Sequence, residues 1–140
     1  MHLIKKYEGC RLKAYKCPAG KWTIGYGSTY YINGDFVKEG DVISQAYADK
    51  LLFEHMKEFN DILPQKLKNK ITKKQYDAVI SLVYNIGTGA FLRSSLYKAI
   101  MNDDYKMICK NWDWYSANGK VLKGLIKRRT EELALFCEDI

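Results

Sequence analysis

An acid at the end of a short apolar segment opens the most informative part of the chain, Glu8-Gly-Cys-Arg-Leu-Lys-Ala-Tyr-Lys-Cys17, and a strand-like segment closes it, Trp22-Thr-Ile-Gly-Tyr-Gly-Ser-Thr29. Apolar side chains before it have the spacing of one helix face, which predicts a helix over residues 2–9. Glu8 then lies in the last helical turn, where the negative end of the helix dipole disfavours ionisation of a carboxyl group. The sign of that effect suits an acid that has to hold its proton.

The segment from residue 12 to residue 37 has the composition of a small sheet. Four glycines interrupt any helical pattern, and the runs Trp22-Thr-Ile24 and Ser28-Thr-Tyr-Tyr-Ile32 are rich in β-branched and aromatic residues, which is typical of strands. Asn33-Gly34 is a strong signal for a two-residue hairpin turn. These features predict a small antiparallel sheet.

The rest of the chain is predicted to be helical. Ser44 is suited to cap a helix that runs to about residue 60, and Thr72 with Gln75 forms a capping box ahead of an apolar helix that ends at Gly87. Further helices are expected over residues 93–101, 103–111 and 124–137.

Together these segments predict an α+β fold in a single domain over residues 1–140. A small β lobe covers about residues 12–40, and a larger helical lobe covers about 44–140 together with the helix 2–9. A cleft between two such lobes is a natural place for a ligand.

The chain of 140 residues is 47% hydrophobic and carries 23 Lys and Arg against 16 Asp and Glu, a formal net charge of +7. A basic surface attracts polyanions, so nucleic acid, a membrane surface and an anionic cell wall are all compatible with it. The basic residues are scattered rather than clustered, and a merely solubilising surface is the other interpretation. Charge alone does not choose among these.

The four cysteines form no C-x-x-C pair and only two histidines accompany them, which argues against a zinc site. We expect mostly reduced structural thiols and no metal or other cofactor. The amino terminus lacks an apolar run of roughly 7–15 residues, so no signal peptide is expected. No stretch approaches the length of a membrane span, and the sequence predicts no membrane anchor.

Three side chains in the opening stretch have the chemistry for cutting a glycosidic bond. That reaction needs a proton for the leaving oxygen and a second group that activates water or stabilises charge on the sugar. Glu8 is followed nine residues later by Cys17 and six residues after that by Thr23. Each also has a simpler interpretation: Glu8 as an exposed helix carboxylate, Cys17 as a small buried side chain and Thr23 as a strand residue.

The stretch resembles the phage-type lysozymes, the endolysins of glycoside hydrolase family 24. The resemblance is carried in order by Glu8-Gly-x-Arg-Leu-Lys-Ala-Tyr15, Cys17-Pro-Ala-Gly20, Thr23-Ile-Gly-Tyr-Gly27, Leu82-Val-Tyr-Asn-Ile-Gly-Thr-Gly-Ala-Phe91 and Gly119-Lys-Val-Leu-Lys-Gly-Leu-Ile-Lys-Arg-Arg-Thr-Glu131. One such block would be a weak signal, but five in order across nearly the whole chain are specific.

The resemblance implies a lysozyme-like fold and a catalytic set of Glu8, Cys17 and Thr23. Glu8 takes the position of the family's acid, and Thr23 takes that of the threonine that helps to hold water. Cys17 stands where an aspartate is usual, and it is compatible with a thiolate base, a nucleophile or a polar neighbour. Ser28 stands where the family usually has histidine, a change that we expect to be tolerated.

The resemblance also implies a saccharide groove lined by Thr29, Tyr84, Asn85 and Ser95. Tyr84 ends an apolar helix, so packing in the core is an equal alternative for it. Arg128 or Arg129 is expected to pair with an acidic side chain near the site.

The activity implied is hydrolysis of the β-1,4 bond between N-acetylmuramic acid and N-acetylglucosamine in bacterial peptidoglycan, by an endolysin that lyses the host at the end of phage infection. The expected protein is a monomer that binds glycan strands and no nucleic acid. It resides in the host cytoplasm until a holin-type membrane-permeabilising protein gives it access to the wall.

Three alternatives accompany this prediction. A lysozyme-fold module that binds peptidoglycan without cutting it would retain the fold and lack the activity. A basic nucleic-acid-binding protein has only the charge in its favour. An enzyme that releases an anhydro product would share the fold and the substrate, and the retaining or inverting course is open in either case.

Overall fold

A computed structural model describes residues 2–117 and 119–140. Its contacts divide the chain into two compact units, which we call the amino-terminal unit (residues 2–61) and the carboxyl-terminal unit (residues 62–140). Most of the helix after residue 44 belongs with the strands in this division, whereas the sequence placed it in the helical lobe. The division into lobes at about residue 40 and the single domain stay predictions.

The amino-terminal unit contains α1 (His2–Glu8), β1 (Arg11–Lys16), β2 (Trp22–Gly25) and α2 (Gln45–Ile62) without its last residue. The two strands pair antiparallel, and their inner side chains form a small core with the loop that follows. That core consists of Ala14, Ile24 and Val37, with Trp22, Tyr31 and Ile43 packed against it.

The predicted strand over residues 28–32 is wrong as an extended strand, because only isolated bridges form there. Ile24 bridges to Ser28 and Tyr30 bridges to Phe36. Gly25 and Gly27 have φ angles of 64° and 90°, so the chain reverses immediately after β2 and no longer ladder develops. The two-residue turn predicted at Asn33-Gly34 lies one residue earlier: the Gly34 N–H donates to the Tyr31 carbonyl oxygen at 2.9 Å, so Ile32 and Asn33 are its central residues.

The carboxyl-terminal unit is mainly helical. Its elements are α3 (Gln65–Lys70), α4 (Lys73–Ile86), α5 (Thr88–Leu92), α6 (Ser95–Met101), α7 (Tyr105–Asn111), β3 (Ser116–Ala117), β4 (Lys120–Val121) and α8 (Lys123–Cys137). The capping box at Thr72 and Gln75 is present, and α4 ends at Gly87 as predicted. Helix α4 packs against α8, and their buried side chains form the core of this unit with Phe91, Leu96, Ile108 and Trp112.

The three later helices agree with the predicted ranges to within two residues. The sequence missed α5 and the short hairpin of β3 and β4. Within residues 2–117 and 119–140, no helix combines the length and the apolar character needed to cross a bilayer.

Candidate active site

Glu8 is the last residue of α1, as predicted, and its side chain is half-buried. The helix is held in place by the fully buried Ile4 and by Lys5, whose ammonium group lies 3.5 Å from a carboxylate oxygen of Asp49 on α2 and 5.6 Å from the ring centre of Tyr26. The Tyr26 hydroxyl donates to Asp49 at 3.0 Å. The position of the acid is therefore set by contacts between α1 and α2.

The two strands bring three polar side chains to one face. Tyr15 lies opposite Thr23 in the ladder of β1 and β2, so their side chains point the same way. Cys17 follows Tyr15 by two residues and continues the pairing, since its N–H donates to the Lys21 carbonyl oxygen at 2.9 Å. Alternation along the strand places Tyr15, Cys17 and Thr23 on the same face.

The thiol of Cys17 lies in a cradle of hydrogen-bond donors. The backbone N–H of Lys21 lowers the pKa of this thiol most, and the N–H of Ala19 and the hydroxyl of Thr23 act in the same direction, against the opposing effect of partial burial. The single proton of Thr23 is shared with a second acceptor, the Lys21 carbonyl oxygen at 3.0 Å. The cradle favours the thiolate, which is the form of cysteine that can accept a proton.

Tyr15 is a member of this group that the sequence interpretation missed. Burial raises the pKa of its hydroxyl most, the charge of Arg11 lowers it, and the charges of Glu8 and Cys17 both raise it. The phenol therefore lies within electrostatic range of both predicted catalytic groups. The Arg11 guanidinium stacks 4.6 Å from the ring centre of Tyr15. Strand register was the only signal that could have identified it.

An imidazole is present beside Ser28 although the family's usual histidine is absent from that position. Its hydroxyl lies 3.1 Å from Nδ1 of His55 on α2, and both side chains are buried. The ring of Tyr30 lies 4.6 Å from that of His55, centre to centre. The imidazole beside Ser28 comes from a different element, α2, and that the serine is tolerated stays a prediction. Thr29, the predicted groove residue beside Ser28, is half-buried, and its carbonyl oxygen accepts from the Val37 N–H.

The other predicted groove residues belong to the carboxyl-terminal unit. Tyr84 is half-buried and Asn85 is exposed at the end of α4, where the Asn85 amide oxygen accepts from Arg129 at 2.9 Å. Ser95 is exposed at the start of α6. It lines a cavity of about 220 Å³ with Lys98 and Met107, and neither Tyr84 nor Asn85 lines that cavity.

Both arginines pair with the same acid within their own unit. Nε of Arg129 lies 2.6 Å from one oxygen of Glu132, and Nε of Arg128 lies 3.3 Å from the other. Glu132 is fully buried and also accepts from the indole of Trp112 and the hydroxyl of Ser81. This cluster joins α4 to α8, and through Arg129 it orients Asn85.

Among the residues that the structure describes, no group of histidine, cysteine and acidic side chains is arranged to hold a metal ion.

Comparison with known proteins gives consistent relatives. The family described as "Phage lysozyme" matches residues 5–132. The endolysin of Acyrthosiphon pisum secondary endosymbiont phage 1 is 46% identical over 139 residues, covering 96% of this chain and 92% of that protein. The endolysin of Bacillus phage B103 is 40% identical over 97% of this chain. This chain spans about half (51%) of the length of that endolysin.

A solved structure agrees with these relatives. The muramidase domain of SpmX from Asticaccaulis excentricus is 33% identical, with a TM-score of 0.78 over 96% of this chain and 92% of that domain. The comparisons confirm the predicted α+β, lysozyme-like fold and the prediction of an endolysin of the lysozyme (muramidase) class. The chain belongs to the phage lysozyme family.

Proposed function

We propose that Glu8, Cys17 and Thr23 are the groups with which this chain hydrolyses the β-1,4 bond between N-acetylmuramic acid and N-acetylglucosamine in peptidoglycan. The donor cradle around Cys17 carries the proposal, because it favours the thiolate form of a group in the position where the family usually has a carboxylate. The half-buried Glu8 at the end of α1 supplies the acid.

The proposed reaction uses Cys17 as a base rather than as a nucleophile. Glu8 donates its proton to the glycosidic oxygen as the bond to the anomeric carbon breaks. The Thr23 hydroxyl holds a water molecule, the Cys17 thiolate accepts a proton from it, and the water oxygen bonds to the anomeric carbon. Cys17 ends as a thiol and Glu8 as a carboxylate, and exchange with solvent returns the proton from the thiol to Glu8.

The substrate groove is proposed to include Thr29, Tyr84, Asn85 and Ser95. Asn85 has the best support: Arg129 occupies its amide oxygen, which orients its NH₂ group as a donor for a sugar hydroxyl or an acetamido oxygen. The net charge of +7 supports attraction to the anionic wall, which salt would weaken.

Cellular context is proposed from family membership. The protein is a monomer that binds no nucleic acid, collects in the host cytoplasm and reaches the wall after a holin-type protein permeabilises the membrane. Expression with and without such a protein tests this: lysis should require both. Lysis by this chain alone at the same level of expression contradicts the dependence.

The acid is tested with Glu8→Gln and a matched control, Glu39→Gln, which removes an exposed carboxylate from the same unit. Turbidity loss of permeabilised Gram-negative cells and release of reducing ends are measured. Glu8→Gln should lower the rate by about 10²–10⁴-fold, because proton transfer contributes that much. Equal rates for Glu8→Gln and the wild type contradict the role of Glu8.

The base is tested with Cys17→Ala and Cys17→Asp, with Cys10→Ala as the matched cysteine control. Cys17→Ala should lose about 10²-fold or more and Cys17→Asp should keep much of the activity. The acid limb of the pH–rate profile should move to lower pH in Cys17→Asp, because a carboxyl group ionises at lower pH than a thiol. Full activity in Cys17→Ala contradicts the proposal, and a trapped glycosyl adduct on Cys17 would make it a nucleophile.

Mass spectrometry of the released muropeptides identifies the product. Reducing ends that have gained one water molecule are expected, whereas anhydro ends contradict hydrolysis. Binding to purified peptidoglycan without release of either product would contradict an active enzyme.

A further inference from the structure

Two cysteines outside the proposed site meet in the carboxyl-terminal unit. Cys109 lies on α7 and is exposed, and Cys137 is the last residue of α8 and is half-buried. The other two cysteines are in the amino-terminal unit. Cys10 contacts the amide oxygen of Gln45 through its sulfur at 3.7 Å, and Cys17 has the donor cradle described above.

Packing between the helices explains why these two cysteines are close. The ring of Trp112, one helical turn after Cys109, lies 5.4 Å from the ring of Phe136, which precedes Cys137. Ile108, which precedes Cys109, lines the same cavity of about 170 Å³ as Phe136. Trp112, Phe136 and Ile108 are all buried, so the ends of α7 and α8 are held against each other.

The two thiols are within hydrogen-bonding reach. Burial raises the pKa of Cys137 most, and the charge of Cys109 and a hydrogen bond to it raise it further. Of these two thiols the exposed Cys109 is more accessible to a reagent in solution than the half-buried Cys137. This is the arrangement of an attacking thiol and a resolving thiol.

We propose that Cys109 and Cys137 form an intramolecular disulfide when the protein meets a disulfide oxidant, and that this bond ties α7 to the end of α8. The four cysteines are free in the structure described here. The inference does not depend on the proposed catalytic residues, since both cysteines lie in the other unit.

The oxidation proceeds by thiol–disulfide exchange with a small disulfide such as oxidised glutathione. The thiolate of Cys109 bonds to one glutathione sulfur, the S–S bond of the oxidant breaks and one glutathione thiolate leaves. Cys137 then loses its proton, its sulfur bonds to that of Cys109, and the second glutathione thiolate leaves. Two protein thiols are oxidised and one glutathione disulfide is reduced to two thiols.

The bond closes a loop of roughly 30 residues, which restricts the unfolded chain. We therefore expect the oxidised protein to melt at a higher temperature than the reduced protein, by about 5–10 °C. The amino-terminal unit gains no disulfide between two of its own cysteines.

The test equilibrates the intact, reduced chain in buffer with excess oxidised over reduced glutathione. Free thiols are blocked with a maleimide under denaturing conditions, and peptides are mapped by mass spectrometry without reduction. The wild type and Cys10→Ser should both show a cross-linked peptide pair that contains Cys109 and Cys137. Cys137→Ser should hold a glutathione on Cys109 and show no rise in Tm.

Two results would overturn the inference. One is that the wild type forms no cross-link between Cys109 and Cys137, so that both thiols stay free or carry only glutathione. The other is a cross-link that involves Cys10 or Cys17. Because peptide mapping reports the cross-link directly for each variant, a variant that is less stable than the wild type still tests the inference.

Discussion

The two units bury polar side chains in different ways. In the amino-terminal unit Ser28 and His55 form a neutral pair, and Nε2 of His55 is buried with no hydrogen-bond partner in the described part of the chain. In the carboxyl-terminal unit Glu132 is surrounded by donors, two of them buried guanidinium groups. The amino-terminal unit buries an uncharged imidazole whose pKa is lowered by burial. The carboxyl-terminal unit buries opposite charges that stabilise one another.

The candidate catalytic side chains of the first group and the buried ion pairs lie in different units. The amino-terminal unit has Glu8 on α1, Tyr15 and Thr23 on the two short strands and Cys17 directly after β1, all at least partly buried. The carboxyl-terminal unit uses its strongest electrostatic contacts to join α4 to α8. We therefore expect substitutions in the second cluster to act mainly on stability and substitutions in the first group to act mainly on rate.

The largest effect on stability is expected for Glu132→Gln. The change keeps the shape of the side chain and leaves two buried guanidinium groups without their carboxylate, which should lower the free energy of unfolding by about 3–5 kcal/mol. Urea unfolding followed by circular dichroism measures it. Glu138→Gln, an exposed substitution on the residue after α8, is the control and should change stability by less than about 0.5 kcal/mol. A similar small loss in both variants would mean that the cluster is not what joins the two helices.

The sequence was sufficient where structure is local. The end of α1 at Glu8 and the capping box at Thr72 depend on residues within one turn, so both were predicted correctly. The resemblance supplied Cys17 and Thr23, whose spacing spans one hairpin. The order of these segments also predicted the fold class.

The sequence was insufficient where structure depends on distant residues. Ser28 contacts His55 on α2, and the proximity of Cys109 and Cys137 depends on the packing of Trp112 against Phe136. The role of Tyr15 follows from a strand register that includes an irregularity after Arg11. The periodicity of the sequence predicts none of these pairings, because each joins residues of separate elements.

A smaller effect, on pH dependence, distinguishes the neutral pair from the charged cluster. Burial lowers the pKa of His55, so the unfolded chain binds a proton more readily than the folded chain. The stability contributed by neutral His55 is complete above the unfolded pKa of about 6.5 and is lost as the pH falls below it. The Tm of the wild type should therefore fall between pH 7 and pH 5, by a few degrees.

His55→Gln should remove much of that fall, although its Tm at pH 7 is lower. The carboxylates with lowered pKa values, Asp41 and Asp49, lose their contribution only below about pH 4, outside this window. Calorimetry at a series of pH values separates the two ranges. A wild-type Tm that is constant from pH 7 to pH 5 contradicts the assignment to His55.

The smallest effect is expected for Tyr15→Phe, which removes one hydroxyl from the face shared with Cys17 and Thr23. The neutral phenol is a dipole near two groups that carry negative charge during the reaction, and its O–H can donate toward them or toward the water between them. Its loss should destabilise the thiolate, so the acid limb of the pH–rate profile should move to higher pH and kcat should fall about threefold. Tyr105→Phe, an exposed tyrosine in the other unit, is the control and should leave the profile unchanged. A Tyr15→Phe variant with a lower Tm and an unshifted acid limb would show that the ring only packs. A shifted limb at unchanged Tm would place the hydroxyl among the groups that set the charge of Cys17.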